Sequence, residues 1–235
     1  MKTFLISIAL AAAVIIAAWK VNFPKYEWYY KITVEIETPE GIKSGSAVRR
    51  VTAWRDICPN SGGSCGGAGS IGEAVVVDLG KRGVVFGTTS IDDFELVFRA
   101  FPYHKGGTTI EGMKYYSTLR DKKTNMLEKG YSPRFVHFKD INDPLSVELV
   151  KGYVFDKQTQ TEIPVDNLEE IFGPDVTLKA VVVELVEKQT LTRKIDEYLP
   201  WLKNIKANID GSHGTFSNEL SNMLEIGHFK SGRLK

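Results

Sequence analysis

The stretch YKITVEIET, residues 30–38, alternates between apolar and polar side chains with a period of two. Its apolar positions Ile32, Val34 and Ile36 fall on one face of an extended chain, and the polar positions fall on the other face. This pattern predicts a half-buried β-strand. The next residues, 39–41, read PEG, in which proline fixes φ and glycine accepts a positive φ, so we expect a tight turn into an antiparallel neighbour.

Further hairpin signals follow in the first half of the chain. Residues 42–54 predict a second strand, with a bulge near Gly45. Residues 73–79 (EAVVVDL) and 84–89 (VVFGTT) are rich in β-forming side chains and are joined by GKRG at 80–83, which predicts another hairpin. The first half therefore predicts four antiparallel strands.

A helix is predicted after this hairpin. Its start carries a capping-box spacing between Ser90 and Asp93, its apolar side chains recur at i, i+3, i+4 and i+7, and Pro102 ends it. We interpret this apolar stripe as core that packs on the sheet rather than as a ligand site. The stripe consists of Phe94, Val97, Phe98 and Phe101.

The second half returns to short strands and helices after an ambiguous region at 103–130. RFVHF at 134–138 reads as a strand, and 166–172 reads as a helix that begins at its capping aspartate and ends before a glycine. The most apolar run after the N-terminus, VTLKAVVVELVE at 176–187, predicts a strand in the centre of a sheet. Residues 191–205 predict a short helix that is broken by a proline.

The N-terminus carries the longest apolar run in the chain. Lys2 precedes TFLISIALAAAVIIAAW at 3–19, which as a helix reaches about 25 Å, just enough to span a thin bilayer. Two interpretations compete, a cleaved signal peptide with its cut after Ala18 and an uncleaved transmembrane anchor over 1–20. The length of the run and the poor cleavage residue Ile16 favour the anchor.

Aromatic residues crowd the stretch after this run. Trp19, Phe23 and Trp28 are predicted to lie at the membrane interface, where amphipathic rings are enriched. The alternative is that residues 26–30 simply begin a strand and pack in the core. We expect the chain after residue 20 to be exported, which predicts a single-pass protein of the inner (cytoplasmic) membrane with its bulk in the periplasm.

Composition and charge are those of an ordinary globular chain. Apolar residues make up 43% and charged residues 25%, and the net charge of +1 includes no basic stripe of the kind that binds nucleic acid. We expect an α+β fold with a mostly antiparallel, hairpin-rich sheet packed by a few short helices and preceded by one N-terminal transmembrane helix. The predicted parts are the anchor or signal segment 1–20, the exported domain 26–205 and a polar, partly ordered tail 206–235.

The stretch CPNSGGSCGGAGSIG, residues 58–72, matches several functional patterns at once. Its G-x-G-x-x-G resembles a dinucleotide-binding loop, but that loop needs a strand before it and a helix after it, and here a β-rich run follows. Its G-x-S-x-G around Ser64 resembles a nucleophile elbow, which needs an apolar strand before the serine. We therefore reject both patterns as functional motifs.

The cysteines of this stretch, Cys58 and Cys65, are the only two in the chain. A thiol nucleophile or a metal site would need a base or further ligands that no motif supplies, so we predict a disulfide in an exported domain. Closing so small a ring contributes about 2–3 kcal/mol in the chain-entropy model. The stapled loop is also the predicted contact element. Its exposed candidates are Pro59, Asn60, Ser61 and Ser64.

Titratable side chains form no recognisable catalytic motif in the sequence. Asp92, Asp93 and Glu95 lie together, but a helix start attracts acidic residues for its dipole alone. His137 alternates inside a strand, so we expect it to be packed or hydrogen-bonded. The other histidines are expected at the surface, namely His104, His213 and His228.

Several phrases together resemble a group of uncharacterised single-span envelope proteins of Gram-negative bacteria. They are ITVEIETPEG (32–41), GEAVVVDLG (72–80), INDPLSVELV (141–150), FGPDV (172–176) and LPWL (199–202). The resemblance extends over about residues 26–202 and implies export. It implies no catalytic or binding residue, since no activity is established for that group.

These observations favour a membrane-anchored, periplasm-facing binding or assembly module without a cofactor. Its expected partners are the membrane, through the N-terminal helix, and an envelope protein. The alternatives are an envelope hydrolase with an unrecognised site, and a carrier of a small ligand or lipid whose sheet and helix at 94–101 enclose an apolar cavity.

Overall fold

The computed structural model describes residues 2–57, 64–90, 93–120, 122–125, 132–156, 159–214, 217 and 219–231. The α-helices in these ranges are α1 (Lys2–Asn22), α2 (Phe94–Ala100), α3 (Ile110–Thr118), α4 (Leu168–Phe172), α5 (Ile195–Tyr198) and α6 (Leu220–Met223). The strands are β1 (Lys25–Glu37), β2 (Lys43–Ile57), β3 (Ser64–Glu73), β4 (Val75–Asp78), β5 (Val84–Gly87), β6 (Lys122–Asn125), β7 (Phe135–Phe138), β8 (Val147–Asp156), β9 (Thr161–Asp166), β10 (Thr177–Val186) and β11 (Lys230–Ser231).

The strands form two sheets in which every pairing is antiparallel. The first, six-stranded sheet has the order β11-β3-β2-β1-β10-β6, and the second, five-stranded sheet has the order β4-β5-β7-β8-β9. With the short helices, they confirm the predicted α+β class and its hairpin-rich, antiparallel character.

β1 lies in the middle of the first sheet, between β2 and β10. Its inward side chains are buried because alternate residues of a strand reach the same face. The apolar run at 176–187 predicted a central strand, but β10 lies next to the edge strand β6. The inward side chains of β1 are Trp28, Tyr30, Ile32, Val34 and Ile36.

The turn predicted at 39–41 is present, and Gly41 has a φ of +108°. The bulge predicted near Gly45 is wrong, because Gly45 lies in register opposite Val34 in the β1–β2 pairing. Gly45 instead admits the backbone of β4, since a Cβ at this position would lie 1.9 Å from the carbonyl oxygen of Val76. The glycine thus allows the two sheets to pack closely.

The part of the second sheet formed by β4, β5 and β7 is buried on both faces. One face, with Val75, Val77 and Val85, joins the first sheet in a core that α2 and α3 also cover. The other face, with Val76 and Phe86, packs against the C-terminal part of the chain. The C-terminal residues that are buried there are Ile195, Leu199, Leu202, Ile209, Leu224 and Phe229.

The described part of the predicted tail 206–235 is therefore integral to the fold. Ile209, Leu224 and Phe229 are at most 2% exposed, and β11 extends the first sheet at its edge. The sequence predicted a polar, partly ordered tail because these apolar residues are isolated among Gly, Ser and Asn. A few widely spaced anchors are enough to bury one face of a sheet, and they leave no periodic pattern.

The start of α4 differs from the prediction, and two further elements lie where the sequence made no assignment. α4 begins after Asn167 rather than after Asp166, which ends β9 and forms an ion pair with Lys151. α3 and β6 lie in the region that the sequence left ambiguous. The start of α3 is capped by Thr109, whose hydroxyl accepts a hydrogen bond from the Gly112 N–H at 3.0 Å.

The predicted anchor segment is helical, and α1 exposes much of its apolar surface. Among the residues that the structure describes, we find no helix with the length and apolar character needed to cross a membrane. Trp19 is 61% exposed, whereas Trp28 is fully buried. The prediction of Trp28 at the membrane interface is wrong, because its ring packs against Phe98 and Tyr116 at centroid distances of 6.2 and 5.7 Å.

A fully buried arginine joins the first sheet to α2. Nη1 of Arg49 donates to Oδ2 of Asp93 at 2.5 Å, and its Nε donates to the backbone carbonyl of Glu73 at 3.1 Å. The hydroxyl of Tyr30 donates to the Asp93 carbonyl at 3.3 Å, and burial raises the pKa of Tyr30 to about 12. The side chain of Asp93 makes no capping hydrogen bond to α2, so the predicted capping box is replaced by this ion pair.

Glu73 extends the same cluster to the C-terminal part of the chain. Its side chain accepts hydrogen bonds from the N–H groups of Lys194 at 2.8 Å and Ile195 at 3.1 Å, at the start of α5. Burial alone would lower the pKa of Arg49, but the charge of Asp93 and the neighbouring Tyr30 and Glu73 raise it. The cation is therefore stabilised inside the core.

Replacing Arg49 tests this cluster. We expect Arg49→Ala to lower the free energy of unfolding by about 3–5 kcal/mol, because it leaves the Asp93 carboxylate buried without its cation. Arg50→Ala, one residue along the same strand but on the half-exposed face, should cost about 1 kcal/mol or less. Guanidinium denaturation of the full chain followed by tryptophan fluorescence measures both, and equal losses would contradict the role of Arg49.

The glycines of β3 provide a second test. A Cβ at Gly72 would lie 2.5 Å from Cγ of Arg49, whereas a Cβ at Gly69 would meet nothing within 4 Å. We expect Gly72→Ala to destabilise the protein by about 1–3 kcal/mol by displacing the arginine. Gly69→Ala should be neutral or slightly stabilising. Thermal unfolding of the two variants compares them, and a harmless Gly72→Ala would contradict the packing described.

Candidate functional site

The glycine-rich stretch is largely a strand rather than a loop. β3 pairs with β2 from Ile57 opposite Ser64 to Arg50 opposite Ile71, and residues 58–63, which join the two strands, lie outside the described residues. The glycines of the G-x-G-x-x-G all lie within β3, which leads into β4. The rejection of the dinucleotide pattern is therefore confirmed. Ser64 begins a strand rather than an elbow between a strand and a helix.

The predicted disulfide and contact loop fall mostly outside the described residues. Cys58, Pro59, Asn60 and Ser61 lie there, and of Cys65 only the backbone is described, opposite Asp56 in β2. The disulfide and the contact role of this loop therefore stay predictions.

The acidic group at the start of α2 does not converge on one site. Asp93 is paired with Arg49, and Glu95 lies 3.7 Å from Arg99 on the helix surface. Asp92 lies outside the described residues. These residues give the hydrolase interpretation no support.

The interior beside α2 is filled by aromatic rings. Phe98 contacts Tyr116 at 4.8 Å and Phe94 at 5.5 Å between ring centroids, beside Trp28. The sheet and α2 therefore pack against each other directly. Among the described residues, this packing gives the carrier hypothesis no support at that place.

Three histidines lie as the sequence predicts, and one does not. His137 is hydrogen-bonded through Nδ1 to the Val84 carbonyl at 2.9 Å, and its ring packs on Phe172. His104 and His213 are exposed. His228 was predicted to be exposed, but it is partly buried, and its backbone carbonyl lies within hydrogen-bond distance of the Thr89 N–H.

A surface groove of about 500 Å³ lies between the β8–β9 hairpin and α6. Arg134, just before β7, and Met223 of α6 both line it. Gly152 also lines the groove, and a Cβ added at this position would lie 3.4 Å from Cγ of Arg134. The lining residues are Ser132, Arg134, Glu148, Leu149, Gly152, Tyr153, Val154, Glu162, Leu220 and Met223.

Arg134 is the main polar feature of this groove. Its backbone carbonyl is fixed by hydrogen bonds from the N–H and the hydroxyl of Thr88, at 2.9 and 3.0 Å. Within the described part of the chain, its guanidinium forms no ion pair and no hydrogen bond. Burial lowers the pKa of Arg134, and the charge of Glu162 offsets this in part. The groove thus holds a partly desolvated cation.

Two carboxylates, Glu148 and Glu162, also line the groove, and the charge of Glu162 acts on Arg134. Glu148 binds the ammonium of Lys139 at 3.0 Å, and Lys151 is paired with Asp166. Because these partners satisfy each other, Arg134 is the cation that faces the groove with its donors available.

An apolar surface borders Arg134. Tyr153, Val154 and Met223 line the groove and are 39%, 48% and 38% exposed. Exposed apolar side chains that are grouped beside polar ones are typical of interaction sites. The groove therefore combines one cation with an apolar wall.

His228 lies behind this site. Its Nδ1 accepts a hydrogen bond from the Glu225 N–H at 2.9 Å, and its carbonyl accepts one from the Thr89 N–H at 2.7 Å. Burial, and then the neighbouring positive charge of Arg134, lower the pKa of His228 below its usual 6.5. A ring nitrogen that accepts a hydrogen bond carries no proton, so this contact and the lowered pKa both favour the neutral ring.

Sequence reasoning missed this groove. Arg134 reads as the first residue of a strand, and the residues of α6 lie in the predicted tail. The available signal was the run GYVF at 152–155, where Tyr153 and Val154 place consecutive apolar side chains on β8, next to the outer strand β9.

Comparison with protein-family models, with curated proteins and with solved structures finds no match for this chain. The groove is therefore interpreted from its own chemistry. That chemistry is a half-buried guanidinium beside exposed aliphatic and aromatic side chains.

The lowered pKa of His228 predicts a pH dependence. Because the unfolded chain takes up a proton at higher pH than the folded chain, the free energy of unfolding falls as the pH drops through 6.5 toward the folded-state pKa. We expect His228→Asn, whose Oδ1 can still accept the Glu225 N–H, to lose this part of the acid sensitivity. Denaturant titrations at about pH 8 and about pH 5 compare the two chains.

The neighbouring charge supplies the control. Arg134→Gln removes it and should raise the pKa of His228 in an NMR titration, while Lys203→Gln, on an exposed turn, should leave the pKa unchanged. An unchanged pKa in Arg134→Gln would contradict the proximity of the two groups.

Proposed function

We propose that the chain is a membrane-tethered binding module of the cell envelope that holds a segment of a partner protein in the groove beside Arg134. The observation that carries the proposal is the half-buried guanidinium without an ion-pair partner in the described residues. We favour recognition as the function of this groove, whose described lining combines the cation with two carboxylates, Glu148 and Glu162, and an apolar surface.

A carboxylate is the group that fits this cation. Part of the hydration of Arg134 is already lost on folding, so a ligand carboxylate meets a smaller desolvation cost than at an exposed arginine. The planar guanidinium binds a carboxylate through two parallel hydrogen bonds. The segment recognised therefore carries a side-chain or C-terminal carboxylate.

The apolar wall defines the rest of the segment. Tyr153 and Met223 both line the groove, and the flexible thioether of methionine adapts to the shape of a bound side chain. An aliphatic or aromatic side chain next to the carboxylate of the bound segment would bury both Tyr153 and Met223. The partner segment is thus acidic and apolar.

Recognition by side chains is favoured over the addition of a strand. β9 is the outer strand of the second sheet, and it carries Pro164 opposite Tyr153. Proline has no N–H to donate to a neighbouring strand, and it is a common device for blocking edge-to-edge pairing. The partner accordingly contacts the groove rather than the free edge.

The tether is supported by the N-terminal segment. The uncharged run 3–19 and the exposed apolar side chains of α1 favour an anchor in the inner membrane, with Trp19 and Phe23 at the interface. The resemblance to single-span envelope proteins and the pair Cys58 and Cys65 agree with a domain on the periplasmic side. The partner is then an envelope protein.

Matched peptides test the groove. Labelled heptapeptides of one apolar composition are prepared in pairs that differ in a single carboxylate, with glutamate against glutamine and C-terminal acid against amide. We expect the full chain in neutral detergent to bind an acid-bearing member about tenfold more tightly, as measured by fluorescence anisotropy. Arg134→Gln should remove this preference, and Met223→Asp should weaken both members of the pair.

Two controls accompany these variants. Lys203→Gln removes an exposed cation outside the groove, and Leu145→Asp changes an exposed apolar residue that does not line it; both should bind as the wild type does. The proposal fails if the wild type does not distinguish acid from amide, or if Arg134→Gln keeps the preference.

A further inference from the structure

A second cleft, of about 490 Å³, lies where α1 leads into β1. Trp19 and Phe23 form one side, with ring centroids 4.7 Å apart, and Trp54 of β2 forms the other side. The remaining lining residues are Lys25, Thr52 and Arg55. Aromatic rings and cations therefore share one opening at the base of α1.

The backbone around this cleft is fixed by the first sheet. Lys25 pairs with Trp54 in the β1–β2 register, and the N–H of Arg55 donates to the carbonyl of Pro24 at 3.4 Å. The ring of Trp54 lies over Gly67 of β3, where an added Cβ would come within 2.8 Å of it. The position of the Trp54 ring in the cleft is thus fixed by packing against β3.

The charge of the cleft is positive. Lys20, Lys25 and Arg55 are exposed, and none forms an ion pair with another residue that the structure describes. The described lining residues include no carboxylate. The hydroxyl of Thr52 adds a neutral donor beside the cations.

We propose that this cleft binds the phosphate group of an anionic membrane lipid. Lysine, arginine and a hydroxyl are the donors that phosphate oxygens accept, and the aromatic rings fit the boundary between headgroups and acyl chains. The exposed apolar surface of α1 continues from the cleft, and along it the acyl chains of the same lipid would lie. This continuity favours a lipid over free phosphate.

The inference rests on the membrane tether of the proposed function. A phosphate held at the base of α1 fixes the domain close to the bilayer surface. The binding groove beside Arg134 belongs to the other sheet, so the two sites can act separately.

Native mass spectrometry of the full chain in neutral detergent tests the site. Phosphatidylglycerol, phosphatidylcholine and inorganic phosphate are added separately, and bound adducts are counted. We expect phosphatidylglycerol to bind at least about tenfold more tightly than phosphatidylcholine, and the double variant Lys25→Glu/Arg55→Glu to lose this preference. Lys203→Glu/Lys206→Glu, with the same charge change at exposed positions elsewhere, should keep it.

Three results would overturn the inference. They are equal binding of the two lipids by the wild type, loss of the preference in the Lys203→Glu/Lys206→Glu control, and inorganic phosphate binding as tightly as phosphatidylglycerol. Alkaline extraction of membranes from cells that express the wild type tests the tether independently. A chain that stays with the membrane but does not prefer phosphatidylglycerol refutes the lipid site alone, and a chain that is extracted refutes the tether.

Discussion

The ion pair between Arg49 and Asp93 is the interaction on which the rest of the structure depends. Both side chains of this pair are buried, and a buried charge is tolerated only if its partners are fixed. Asp93 places α2 against the first sheet, and the carbonyl of Glu73 holds the end of β3 beside the same guanidinium. Since the carboxylate of Glu73 binds the start of α5, one cluster ties together elements that are far apart in the sequence.

Glu73 also marks the point where the chain passes from one sheet to the other. β3 ends there in the first sheet, and β4 begins two residues later in the second. The second sheet therefore takes its position from a fixed residue, and the C-terminal segment packs on its far face. α6 is part of that segment and β8 is part of that sheet. The shape of the groove beside Arg134 therefore depends on how the C-terminal segment packs on the second sheet.

Local patterns predicted the hairpins and α2, since a period of two along β1 and an i, i+3, i+4 stripe over 94–101 are properties of neighbouring residues. They did not predict that the glycines of β3 form a strand, because those glycines serve the close approach of Arg49 and Trp54 on the adjacent strand. The burial of His228 and the groove at Arg134 depend on long-range packing of an apparently polar tail. No sequence period records that packing.

The most direct test of the account is whether the groove beside Arg134 meets a partner in living cells. A photo-crosslinking amino acid introduced in place of Tyr153, and separately in place of the exposed Ile42 in the connection between β1 and β2, reports what lies within reach of each position. We predict a defined adduct from position 153, none from position 42, and loss of the adduct when Arg134→Gln is added. The same adduct from both positions, or one that persists without Arg134, would contradict it.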